Sequence, residues 1–223
     1  MSRRPTTSGF AFFDLDRTLL PGSSMVCLGQ ELLARGQLAR RTLASGLLRN
    51  AAFRRTGGTD ETVSKAQASM LRLVSGRSYG DMMDAVPAAA ARAVVRVFPG
   101  ARLLIEHRRR AGDLVAIVSA SPQELVAAIA TAVGADLGIG TRAEVIDGCF
   151  TGRLNGSFCY RQGKLDRISE ELGAGVCASA SAYADSGSDL PLLLACDRAV
   201  AVNPDRALRD VARTSRWPVI RFS

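Results

Sequence analysis

The chain has 223 residues, 47% hydrophobic and 22% charged, which excludes a disordered or fibrous protein and suits one generous domain or one domain carrying a smaller insert. Lys and Arg number 29 against 21 acidic residues, a net charge of +8 that favours anionic partners. Only Lys65 and Lys164 are lysines; the scattered arginines and 5% aromatic content lack the stacking platforms of a single-strand binder, so no specific nucleic-acid partner is expected.

In chain order, Gly9 to Phe13 is a short apolar run closing on acidic residues, the pattern of a strand buried on both faces whose end opens into a loop. The segment from Pro21 to Arg92 has helical periodicity, with candidate helices Met25 to Ala34, Leu38 to Phe53, Asp60 to Val74 and Tyr79 to Val97, the last interrupted by Pro87. Over residues 21–92 ten basic residues face five acidic ones, so an anionic ligand would be drawn toward this insert. A helix-like stretch from Ala101 to Ala111 precedes a second strand, Leu114 to Val118, which runs into Ser119-Ala120-Ser121-Pro122 and a helix start. The residues around Asp147-Gly148 read as a β-hairpin. A third strand, Ala180 to Ala184, ends in Asp185-Ser186-Gly187-Ser188-Asp189, and a fourth, Ala199 to Val202, ends in Asn203-Pro204-Asp205. Strands alternating with helices predict an α/β fold with a mostly parallel sheet.

The five cysteines, Cys27, Cys149, Cys159, Cys177 and Cys196, lack paired metal-site spacing and read as reduced thiols. No apolar run reaches the roughly 18 residues of a membrane span, and no signal peptide is evident. A cytoplasmic protein is expected. His107 reads as a surface helix residue, which disfavours a Ser-His-Asp hydrolase, and Arg108 to Arg110 as a solvated helix end.

Ligands of open α/β sheets bind beyond the carboxyl ends of the strands. There the chain places Asp14 and Asp16, then Ser119, then Asp185 and Asp189, with Lys164 shortly before the third strand. In extended chain Asp14 and Asp16 project to the same side, and two carboxylates so close call for a metal or a shared proton. Carboxylates from two strands suit a hard cation, while Ser and Lys suit a phosphate.

Phe13-Asp14-Leu15-Asp16-Arg17-Thr18, Val118-Ser119-Ala120-Ser121, Lys164 and Tyr183-Ala184-Asp185-Ser186-Gly187-Ser188-Asp189 resemble, in order and spacing, the four motifs of the haloacid dehalogenase superfamily, subfamily IB, the phosphoserine-phosphatase-like branch. The resemblance spans nearly the whole chain. It implies a Rossmann-like three-layer core over residues 1–20 and 93–223 with an inserted helical cap of the C1 type over 21–92. It also implies a phosphoric monoester hydrolase acting on a small phosphorylated metabolite through an aspartyl phosphate. By that resemblance Asp14 is the nucleophile and Asp16 the acid and base. Mg²⁺ is held by Asp14, the Asp16 backbone carbonyl and Asp185; Ser119 and Lys164 bind the phosphate; Asp189 and Ser188 support them. Two departures stand out: Ser23 occupies the position, nine after Asp14, where phosphoserine phosphatases commonly carry a glutamate, and Ser188 replaces an asparagine. The alternatives are a phosphotransferase using the same aspartyl phosphate and a non-catalytic anion-binding relative, expected to bind polyanions without releasing phosphate.

Overall fold

The computed structural model describes residues 9–39, 65, 67–68, 71–72 and 74–223. Its centre is β1 (Gly9–Phe13), flanked in parallel by β2 (Asp113–Pro122) and β6 (Ala180–Ala184). Ala11 and Phe13 pack with one buried cluster and Phe12 with another, because successive side chains leave a strand on opposite faces and β1 is covered on both.

Six parallel strands line up in the order β3-β2-β1-β6-β7-β8, with β3 (Leu137–Thr141), β7 (Arg198–Val202) and β8 (Val219–Ile220) completing the sheet. The first face carries α1 (Ser24–Ala34), α2 (Tyr79–Val95), α3 (Pro99–Arg110) and α4 (Gln123–Val133), whose Leu28, Ala89, Ile105 and Ile129 join Phe13 and Ile117. The second carries α5 (Gln162–Leu172), α6 (Leu190–Ala195) and α7 (Arg206–Thr214), whose Ile168, Leu192 and Leu208 join Phe12 and Val118. This is the expected α/β, Rossmann-like arrangement of three layers. The chain leaves β1 for β2 on one side and later crosses to β6 on the other, so the carboxyl end of β1 is a topological switch point, where such sheets open a crevice.

The strands at Gly9–Phe13 and Ala180–Ala184 have the expected bounds, and β2 is longer than expected. It continues through Ser119 to Pro122 after a register shift beyond Val118, where a loop was expected. Helix α2 passes through Pro87 without ending. The proline lies on the exposed face, while Met82, Ala85, Val86, Ala89, Ala90 and Ala93 bury the opposite face against α1 and α4. Of the expected insert helices, Leu38 to Phe53 lies almost entirely outside the described residues and Asp60 to Val74 largely so.

The hairpin forms as β4 (Ala143–Ile146) and β5 (Cys149–Leu154). It is tied to the start of α2 by Phe150 N–H to Arg77 O at 2.9 Å, Tyr79 N–H to Gly148 O at 2.8 Å and an edge-on contact of Tyr79 with Phe150. His107 is exposed, as its helical setting suggests. Among the described residues no helix is long and apolar enough to cross a membrane.

Candidate active site

Asp14 is the first residue past β1, where its N–H donates to Tyr183 O at 2.9 Å and so continues the pairing with β6. Its carboxylate is buried and doubly held: Lys164 Nζ lies 2.7 Å from Oδ1, and the Thr18 hydroxyl donates to Oδ2 at 2.8 Å. Lys164, on the first turn of α5, also reaches Asp189 Oδ1 at 2.5 Å. Burial opposes its charge, but the two carboxylates outweigh burial and hold the ammonium protonated more firmly than usual.

Asp185 is the first residue past β6, and its carbonyl accepts the Asp205 N–H at 2.7 Å. Asp205 in turn caps α7 by accepting from Leu208 N–H at 2.8 Å, which explains the Asn203-Pro204-Asp205 turn as the prop behind Asp185. The Asp185 side chain meets Arg17 Nε at 2.8 Å. Burial, followed by the charge of Asp14, still pushes its carboxyl up to about 8; burial likewise pushes Asp189 up to about 6, against the pull of Lys164. Carboxylate oxygens of Asp14, Asp185 and Asp189 all lie within 4.8 Å of one another. Three carboxylates thus share one buried site with two cations, Lys164 and Arg17. The oxygen-only donors, with one carboxylate more than the two cations balance, fit a hard divalent cation that displaces the proton of Asp185.

Asp16 has a setting of its own. It lies at the N-terminus of α1, where Oδ2 accepts from the Ser23 hydroxyl at 2.7 Å and Oδ1 from Ser24 N–H at 2.8 Å. Burial raises its pKa, and these two hydrogen bonds oppose the rise. Ser23 stands where the resemblance led one to look for a substrate-reading glutamate; its hydroxyl is instead spent on Asp16.

Ser119 is buried inside β2, and its hydroxyl accepts from Ser121 N–H at 3.2 Å. It is not the helix N-cap. Pro122 occupies that position, so any phosphate contact from Ser119 comes from the strand end rather than a capping turn. Ser188 is not brought onto Lys164: its hydroxyl pairs with that of Ser186 at 2.6 Å. Reasoning from sequence assigned no task to Arg17, Thr18, Ser24 or Ser121, although the Ser24 and Ser121 hydroxyls meet at 2.8 Å and link the start of α1 to the end of β2. Thr18, four residues after Asp14 inside the first acidic motif, was the signal available for its contact.

Comparisons with known proteins give the family. Residues 11–194 match the family model of haloacid dehalogenase-like hydrolases. A phosphoserine phosphatase, SerB1, of Mycobacterium tuberculosis is 35% identical over 219 residues, covering 95% of this chain and 70% of that protein. A probable phosphatase of the same organism is 34% identical over 223 residues, covering 98% and 77%. Among solved structures, a protein of unknown function from Bordetella pertussis superposes with a TM-score of 0.80 at 32% identity, covering 96% of this chain and 99% of that one.

Proposed function

The chain belongs to the haloacid dehalogenase-like hydrolases, as a phosphoserine-phosphatase-like phosphoric monoester hydrolase, and from that premise we propose that it dephosphorylates a small metabolite by way of a phosphoryl group carried on Asp14. The observation that carries this reading is the placement of Lys164 between Asp14 and Asp189, with Asp16 held separately by α1.

Lys164 and Thr18 fix both oxygens of Asp14, so the carboxylate is oriented before the substrate arrives and little freedom is lost on attack. An Asp14 oxygen forms a bond to phosphorus as the bond to the substrate alcohol breaks. Asp16, whose raised pKa keeps a proton available, delivers that proton to the departing oxygen. Water then attacks the phosphorus, Asp16 takes the water's proton, and the Asp14 oxygen leaves as carboxylate. Lys164 offsets the charge on the transferring group, and Ser119 contributes hydroxyl contact to its oxygens. Mg²⁺, held by Asp14, the Asp16 carbonyl and Asp185 with Asp189 alongside, would supply charge neutralisation where phosphate meets carboxylate. Residues 21–92 would form the cap that selects the substrate, and the free thiols suit a cytoplasmic setting.

Phosphoserine is the first candidate substrate, because the M. tuberculosis relative bears that name, and it is tested within a panel that includes histidinol phosphate, phosphocholine, sugar phosphates and nucleotides. Phosphate release with Mg²⁺ is expected from one member of the panel and not from the Asp14→Asn variant. Transfer to an added alcohol in place of release would assign a phosphotransferase. Release by Asp14→Asn at the wild-type rate would overturn the role of Asp14.

A further inference from the structure

The opposite end of the sheet brings two cysteines together. Cys177 lies in the 3₁₀ turn Val176–Ser179 that leads into β6, and Cys196 follows α6 on the way into β7. These strands are parallel neighbours, with Ser181 level with Arg198, so their approaches run side by side. Asp197 N–H donates to Cys177 O at 3.3 Å, which sets Cys177 beside the residue that follows Cys196. Both side chains are partly buried. A groove of about 290 Å³, lined by Leu165, Ile168, Val176, Cys177 and Ala195 among others, opens beside Cys177 and has room for a small oxidant.

The other cysteines are placed differently. Cys27 and Cys159 are buried, Cys159 with its thiol pushed up to about 12 by burial, and Cys149 is exposed on the hairpin. The neighbouring Cys196 thiol lowers the pKa of Cys177, which makes Cys177 the better nucleophile of the two.

We propose that Cys177 and Cys196 are a modification site that closes reversibly to a disulfide when the protein meets a peroxide. The Cys177 thiolate attacks the peroxide oxygen and takes up one oxygen atom as a sulfenic acid, and with one proton supplied the other oxygen leaves as water. The Cys196 sulfur then attacks the Cys177 sulfur and expels a second water. Two thiols and one hydrogen peroxide give one disulfide and two waters, and a dithiol reductant reverses the change. The bond staples the approach to β6 to the approach to β7 and encloses the stretch that bears Asp185 and Asp189.

The test is peroxide titration of the whole protein, followed by denaturation, alkylation and peptide mass mapping. The expected result is loss of two hydrogens, three of the five thiols still alkylated, and a linked Cys177–Cys196 peptide that dithiothreitol separates. Cys177→Ser and Cys196→Ser should each abolish the link, and Cys196→Ser should accumulate a sulfenic acid on Cys177 that dimedone traps. Retention of five alkylatable thiols by the oxidised wild type, or a disulfide that survives in Cys196→Ser, would overturn the proposal.

Discussion

Lys164 and Arg167 stand about one turn apart on α5, both buried, and their surroundings differ. Around Arg167 the charges balance. Its guanidinium pairs with Glu170 and with Glu171 at 2.7 Å, donates to Gly140 O at 3.1 Å, and Arg142 also pairs with Glu171. Around Lys164 and Arg17 three carboxylates meet two cations, and burial raises the pKa of two of those carboxylates. A buried charge by itself therefore does not mark a site; a cluster with one carboxylate in excess at a strand-end crevice does, because that carboxylate must keep a proton until a cation displaces it.

Lys164→Ala tests this contrast with the largest expected effect: turnover should fall by on the order of 10³-fold, read from initial rates on the best panel substrate. Arg167→Ala should do the reverse. Loss of a buried cation with its acidic partners left behind costs about 3–5 kcal/mol of stability, read by urea unfolding, while turnover in the folded fraction stays within about threefold. Comparable turnover losses in the two variants would erase the distinction.

Acidity sharpens it further. Folding raises the pKa of Asp185 to about 8, so the metal-free protein holds that proton more tightly than the unfolded chain does. The resulting stability is fully present below the unfolded value near 4 and is lost as pH rises through about 8. Mg²⁺ competes with the same proton. Its binding at pH 7 should release protons, and its affinity should tighten by up to about tenfold per pH unit until pH passes about 8. Calorimetry in buffers of different ionisation enthalpy measures this, and binding without proton release would contradict it. The smallest effect belongs to Ser23→Ala. Removing one hydrogen bond from Asp16, worth about 1 kcal/mol, should lower kcat/KM by about fivefold and shift the alkaline limb of the rate profile upward, because the Asp16 carboxyl rises further.

Much of this was legible in the sequence where a residue's task is local. β1 and β6 could be read to the residue because they are almost continuous apolar runs ending in acids, and Asp14, Asp185 and Asp189 meet because those ends lie side by side, with Lys164 reaching in from α5. β3 was hidden by its own packing. A Cβ on Gly138 would lie 2.6 Å from Ala127 Cα and one on Gly140 2.7 Å from Gln123 Cα, so both glycines exist to let α4 approach, yet in sequence they suggest a loop. Helix α5 lacks a side-chain cap and follows Arg161 at φ 50°, which removes the usual start signal. The contact of Ser23 with Asp16 depends on the chain turning back from Leu20 into α1, a bend that spacing alone does not reveal.

The most direct test of the catalytic reading is rapid acid quenching during turnover, followed by peptide mass mapping. The expected result is a phosphoryl increment on the peptide bearing Asp14, labile to hydroxylamine, and absent from Asp14→Asn. Steady phosphate release with no increment on that peptide, and with Asp14→Asn still active, would contradict it.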